Sequence, residues 1–170
     1  AFNIGSTSAT STNNYAYSKI TDSEYCSSLV TFPDSISFWA KFIPSAGNSD
    51  LAKMGATIHS NGEYRDPEGS NNSGQYVVGK ATLNIPKTGA GEWVHYTIPF
   101  QYTGPATSPA FILVNFSTNI TAGAGSAGDQ LFIADLSLIY NRSLSMISLD
   151  GIPFPDFDPT IFDYEVEMDH

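Results

Sequence analysis

The chain has 170 residues, 41% of them hydrophobic and only 14% charged, which is enough for one well-buried core but well below the roughly 25% charge of ordinary soluble domains. Seven Lys and Arg stand against seventeen Asp and Glu, a net charge of −10, and that field repels phosphate backbones and anionic headgroups, so nucleic acid is not expected as a partner. No apolar run approaches the roughly 20 residues of a membrane-spanning helix, so the chain is not expected to span a membrane.

Ala1 to Thr12 lack the basic-then-apolar order of a signal peptide, so any export signal is expected to lie upstream or to have been removed. The single cysteine, Cys26, cannot form an intrachain disulfide, and no Cys/His cluster has zinc spacing. Low charge with abundant hydroxyl and amide side chains suggests an exported bacterial protein, extracellular or at the outer-membrane surface.

Strand-like runs follow one another with turn signals between them. The first, Asp34 to Phe42, places Ile36, Phe38, Ala40 and Phe42 in strict alternation with Ser37, Trp39 and Lys41, the period of a strand with one buried face. Trp39 is therefore expected to point away from the core. Ala52 to His59 and Gln75 to Ile85 follow, separated by a long polar loop, Asn61 to Gly74, of the kind that is usually functional or disordered. In Trp93 to Phe100 one face carries Val94, Tyr96, Ile98 and Phe100 and the other Trp93, His95 and Thr97; Pro99 predicts an edge or an end there. Trp93 reads as structural, a large ring closing one end of a sandwich. Within Ala110 to Ser117, Phe111 to Phe116 is almost continuously apolar and predicts a strand covered on both faces in the middle of a sheet, and Gln130 to Tyr140 completes the series. After Tyr140 the composition shifts. The tail predicts a short strand, an Asp150-Gly151 turn, a Pro-rich bend and a second strand at Tyr164 to Val166. Two strands cannot bury a core alone, so a domain over 1–142 and a partial β domain over 143–170 are expected.

Sugar binding needs flat aromatic surface for the C–H face of a pyranose and polar groups for its hydroxyls. Trp39 is the first candidate, with Lys41 on the same face. His59, Tyr64, Arg65 and Asp66 form a second group at and beyond the end of the second strand. Each also has a plainer reading, as secondary core or a solvated turn. Glu63, Asp66 and Glu68 share one loop, where the two carboxyls of a glycosidase, about 5 Å or about 6.5–9.5 Å apart, are hard to hold rigidly. No nucleophile elbow or phosphate cradle is present.

The order of Phe32-Pro-Asp-Ser-Ile-Ser-Phe-Trp-Ala-Lys-Phe42, Asp50-Leu-Ala-Lys-Met54, Glu92-Trp-Val-His-Tyr-Thr-Ile-Pro-Phe-Gln-Tyr102 and Gly125-Ser-Ala-Gly-Asp-Gln-Leu-Phe-Ile-Ala-Asp-Leu-Ser-Leu138 resembles the Bacteroidetes "putative carbohydrate metabolism" domain over roughly residues 1–142. That resemblance implies a galactose-binding-like antiparallel jelly-roll β-sandwich on an exported, surface-attached protein that handles glycans, with oligo- or polysaccharide as partner and no catalytic residues to transfer. Similar jelly rolls hold a structural calcium ion near the final strand, which implicates Asp129 and Asp135, with Asp22 and Glu24, or Asp50, as further oxygen ligands. In the tail, Leu149-Asp-Gly, Phe157-Asp-Pro and Asp163-Tyr164 resemble the start of a bacterial immunoglobulin-like or cadherin-like repeat, which implies further β domains in the same polypeptide. The expectation is thus a non-catalytic carbohydrate-binding module, with a structural or adhesive spacer, or a glycan hydrolase, as the competing readings.

Overall fold

The computed structural model describes residues 2–4, 14–22, 24, 28–68, 72–89, 91–121, 124–141, 148–149 and 152–153; Cys26 and the expected strand at Tyr164 to Val166 lie outside them. The chain divides into two compact units, Ala1–Tyr140 and Asn141–His170. In the second, β10 (Ser148–Leu149) and β11 (Ile152–Pro153) pair antiparallel, with Leu149 opposite Ile152.

The first unit is an all-β sandwich whose strands are all paired antiparallel. One sheet has the order β7 (Val94–Pro99), β3 (Ser35–Ile43), β9 (Gln130–Ile139); the other has β6 (Val77–Ile85), β4 (Ala52–His59), β8 (Phe111–Ser117). Every connection except that from β4 to β6 crosses from one sheet to the other, the wrapping of a jelly roll. A third, small sheet, β1 (Phe2–Ile4), β2 (Asn14–Tyr17), β5 (Arg65–Asp66), uses part of the long polar loop. Between that loop and β6 runs one 3₁₀ turn, Ser73–Tyr76. Among the described residues no helix is long and apolar enough to cross a membrane.

The core follows from the alternation. From β3, Ile36, Phe38, Ala40 and Phe42 are fully buried, and they meet Ala52, Met54, Ala56 and Ile58 from β4, with Val78, Ala81 and Ile85 from β6 and Phe100 beyond β7. Phe38 packs edge-on against Phe116 and tilted against Tyr96, with centroids 5.4 and 5.6 Å away. The small Ala40 and Ala56 fill the space between larger neighbours.

Register on β9 requires a correction of phase. Lys41 faces Phe132 and Trp39 faces Ala134, yet Ser37 faces Ser137, so β9 carries one extra residue between these pairs. Asp135 takes the left-handed conformation there, φ 52°. A bulge of this kind restores Leu138 to the core face opposite Ile36, which an unbroken strand would have turned to solvent.

The placement of β8 overturns one expectation. It lies at the edge of its sheet, and β4 occupies the middle. Its near-continuous apolar run reflects cover on both faces rather than strands on both sides. Ile112, Val114 and Phe116 pack on the core, while Phe111 meets the His59 ring, centroids 5.7 Å apart, and Asn115 meets Asp66. Pro99, by contrast, does end an edge strand, where its missing N–H leaves no ladder bond unmade.

The two faces of β3 should respond differently to truncation. Phe38→Ala is expected to cost about 3–5 kcal/mol, whereas Trp39→Ala loses only cross-strand contacts and should cost about 1 kcal/mol or less. Urea unfolding of the two variants measures this, and equal losses would mean that the assigned phase is wrong.

Candidate functional site

The outer face of the β7-β3-β9 sheet is built by register alone. One cross-strand row is His95, Trp39, Ala134; two residues along β3, Lys41 faces Phe132, and Trp93, one residue before β7, comes to lie beside this pair. Trp39, Trp93 and Phe132 are each 40% exposed, well above what a core aromatic shows. Strands about 4.8 Å apart and rows about 7 Å apart give this patch an extent of about 10 by 7 Å. It has room for a pair of linked sugar rings lying flat.

Neighbours fix the rings. The Trp39 and His95 rings lie 5.0 Å apart, and His95 Nε2 is 2.7 Å from Ser37 Oγ, which anchors the imidazole to the sheet. Trp93 and Phe132 sit edge to face at 6.5 Å across Lys41, whose ammonium lies 5.3 Å from the Trp93 centroid and 4.6 Å from that of Phe132. Such cation–π contacts are worth about 0.5–1 kcal/mol each at exposed sites, and here the one ammonium group is in reach of both rings. Thr97 and Ser137 stand exposed beyond Trp39, on either side of the buried Ser37.

Trp39 and Lys41 therefore lie on the same outer face. Trp93 corrects its structural reading: it stands on the open face, in phase with His95. Phe132 and His95 were not singled out from sequence, although both phases were readable, because Leu131 and Ile133 alternate with Phe132 just as Tyr96 and Ile98 alternate with His95.

The second candidate group separates. His59 is fully buried and Tyr64 is 2% exposed, so neither ring is available to a ligand. They stack on each other at 5.7 Å, and His59 bridges Ser18 Oγ at 2.7 Å and the Ser60 carbonyl at 2.9 Å. The long loop folds back over the outer face of β4, and these two rings are its attachment, a second small core. Arg65 pairs with Glu63 at 2.9 Å and lies over Tyr15. Asp66 alone of this group lines open space, a cleft of about 400 Å³ on the outer face of the β6-β4-β8 sheet.

The structure does not bring Asp129 and Asp135 together: six residues of extended strand put them roughly 20 Å apart. Asp129 joins two loops, accepting hydrogen bonds from Ser45 N at 2.8 Å, Ser45 Oγ at 2.9 Å, Asn48 Nδ2 at 2.8 Å and Ser126 N at 2.7 Å. The Ser45 and Ser126 backbone amides, followed by the Asn48 amide, hold its carboxyl well below the usual carboxylate range. Asp50 does the same for Ile120 and Thr121, and Asp22 pairs with Lys19. Among the described residues no group of three or more acidic, His or Cys side chains is disposed to hold a metal.

No protein-family model and no curated protein matches the chain. Its fold is similar to that of a Bacteroides thetaiotaomicron protein described as a "putative glycoside hydrolase", with a TM-score of 0.53 and 14% sequence identity. The similarity covers 69% of this chain and 41% of that one, so the chain spans less than half the length of that structure. At this identity the likeness shows the fold, an all-β one with a carbohydrate-related neighbour in Bacteroides, and not the particular domain family that the motif order resembles.

His59 gives the buried attachment a pH signature. Burial pushes its pKa below the ordinary value of 6.5, against the opposing pull of the Ser60 and Gly62 backbone. The unfolded chain then binds the proton more readily than the folded one, so the stabilisation is complete above about pH 6.5 and is lost as pH falls through the folded value. Denaturation midpoints should fall between about pH 7.5 and about pH 5.5 in the parent chain, and His59→Gln should flatten that slope. An unchanged slope in the variant would show that His59 is not the group responsible.

Proposed function

We propose that the chain is a non-catalytic carbohydrate-binding module that engages glycan chains through the Trp39, Trp93, Phe132 face. The carrying observation is three half-exposed aromatic rings grouped on one outer sheet face and interleaved with an ammonium group, an imidazole and hydroxyls. An amphiphilic pyranose needs that mixture, with ring faces for its C–H groups and donors and acceptors at their edges. A surface meant for another protein's core would have no reason to seat Lys41 at its centre.

Charge selects within the glycans. A net charge of −10 repels uronate-rich or sulfated polymers over distances longer than Lys41 alone offsets, so neutral polysaccharides are the favoured class. The chain spans less than half of its Bacteroides neighbour, and the reading takes from that protein its carbohydrate context and not a hydrolytic activity. An exported, surface-associated protein is the setting in which such a module meets polymeric glycans.

Affinity electrophoresis through gels containing xyloglucan, glucomannan, mixed-linkage glucan or pectin tests this. Retardation is expected in at least one neutral gel, with little dependence on salt. Trp39→Ala and Trp93→Ala should each weaken it at least about fivefold, the loss of an anchor residue worth more than about 1 kcal/mol. Folded protein that runs unretarded in every gel, or variants that bind as the parent does, would refute the assignment.

A further inference from the structure

The outer face of the β6-β4-β8 sheet holds an opening that the glycan-platform reading does not use. It is a cleft of about 400 Å³ between β2, β5 and the end of β8, with Tyr15, Lys53, Asp66, Asn115 and Asn119 along its walls and Ile120 at its rim. Its volume falls within the roughly 300–1,000 Å³ of small-molecule sites.

The polar groups are placed by strand register. Asn115, Gly55 and Thr82 form one cross-strand row on this face, and Ser117, Lys53 and Asn84 form the next. Asp66 comes down onto the same face from β5, which is fixed by pairing with Ala16 of β2. Asn115 donates from Nδ2 to Asp66 Oδ2 at 2.5 Å, and Lys53 Nζ stands 3.9 Å from the same oxygen.

Gly55 makes this arrangement possible. A Cβ there would lie 2.9 Å from Asn115 Oδ1 and 3.3 Å from Asp66 Oδ2, so any side chain would push the pair off the sheet. The glycine lets a carboxylate and a carboxamide lie against bare backbone, locked to each other and facing the opening.

The groups retain hydrogen-bonding capacity after making these contacts. At 3.9 Å the ammonium of Lys53 is beyond direct hydrogen-bond distance from Asp66 and can turn its donors to a ligand. Asn115 uses one N–H on Asp66, which leaves its second N–H and its Oδ1; Asp66 keeps its other oxygen. A carboxylate, a carboxamide and an ammonium group within reach of one another match vicinal hydroxyls, each of which donates and accepts. Tyr15, held by the Arg65 guanidinium 4.5 Å from its centroid and by Tyr17 edge-on at 5.6 Å, supplies aromatic surface beside them.

We infer that this cleft is a second carbohydrate site, one that takes a single neutral pyranose residue, on the sheet opposite the aromatic platform. The inference rests on the reading of the chain as a glycan-binding module and deepens it: the platform grips a chain, and the cleft takes one sugar unit by its hydroxyls. Anionic sugars are disfavoured by Asp66, which faces the opening.

Nitrogen-15 NMR titration of the intact chain with the methyl glycosides of glucose, galactose, mannose and xylose tests the inference. At least one is expected to shift the Asn115 side-chain NH₂ signals and the Lys53 and Asp66 amides saturably, while the indole signals of Trp39 and Trp93 stay still. Asn115→Ala should weaken that response at least fivefold, and Trp39→Ala should leave it unchanged. Lys53→Met, at a half-buried position outside the core, carries the same expectation if Asn115→Ala fails to fold. The inference is overturned if none of the four glycosides moves the cleft signals, or if the response survives in a folded cleft variant. Failure of the platform reading would look different, as indole signals that do not respond to polysaccharide.

Discussion

The side-chain alternation of β3, shared between two pairing partners, is the constraint on which the rest depends. Its even positions, Ile36 to Phe42, form the centre of the core, and its odd positions set the middle column of the opposite face. Because a strand has a side-chain period of two, a slip of one residue against β7 or β9 would bury Trp39 and Lys41 and expose Phe38. Core packing therefore specifies the aromatic face as a by-product: whatever holds Phe38 inside holds Trp39 outside, flanked by His95 and Ala134. The bulge at Asp135 belongs to the same logic. It keeps Phe132 on the outer face at one end of β9 while returning Leu138 to the core at the other.

The second sheet treats its outer face differently. There Thr57 and His59 are buried beneath the loop that follows β4, and the stacked His59 and Tyr64 rings, with Ser18, attach that loop to the sheet. Either side of the attachment lies open space, each bounded by an ion pair: Asp66 with Lys53 on one side and Glu68 with Lys80 on the other. One loop thus supplies both a covering core and the carboxylates that line what it leaves uncovered. At the ends of the sandwich, Asp129 and Asp50 tie loops together through backbone amides.

The sandwich strands were legible because each one is long, half-buried and bounded by turn residues, so periodicity alone located them to within two residues. Position within a sheet was not. The Phe111–Phe116 run reads from its hydrophobicity as covered on both faces and hence central, yet the strand lies at the edge of its sheet. β2 and β5 escaped because four- and two-residue strands carry too little pattern to stand out from the Asn, Tyr and Ser around them. The site was half legible. Trp39 and Lys41 follow from phase, and Phe132 could have been found the same way, whereas Tyr64 beside Arg65 and Asp66 looked like a binding cluster when its ring is in fact the anchor of its own loop. Burial of an aromatic in a polar loop depends on what the loop folds onto, and no local pattern encodes that.

The sequence contains two tryptophans, Trp39 and Trp93, and both lie on the β7-β3-β9 outer face with equal exposure. Tryptophan emission, excited at the red edge where tyrosine does not absorb, consequently reports on that face alone. The most direct measurement is acrylamide quenching of this emission with and without a neutral polysaccharide that retards the protein. The account predicts that the polysaccharide moves emission to shorter wavelength and shields both indoles from quencher. Emission and quenching left unchanged while the protein is bound would contradict it, because the glycan would then be held somewhere other than the aromatic face.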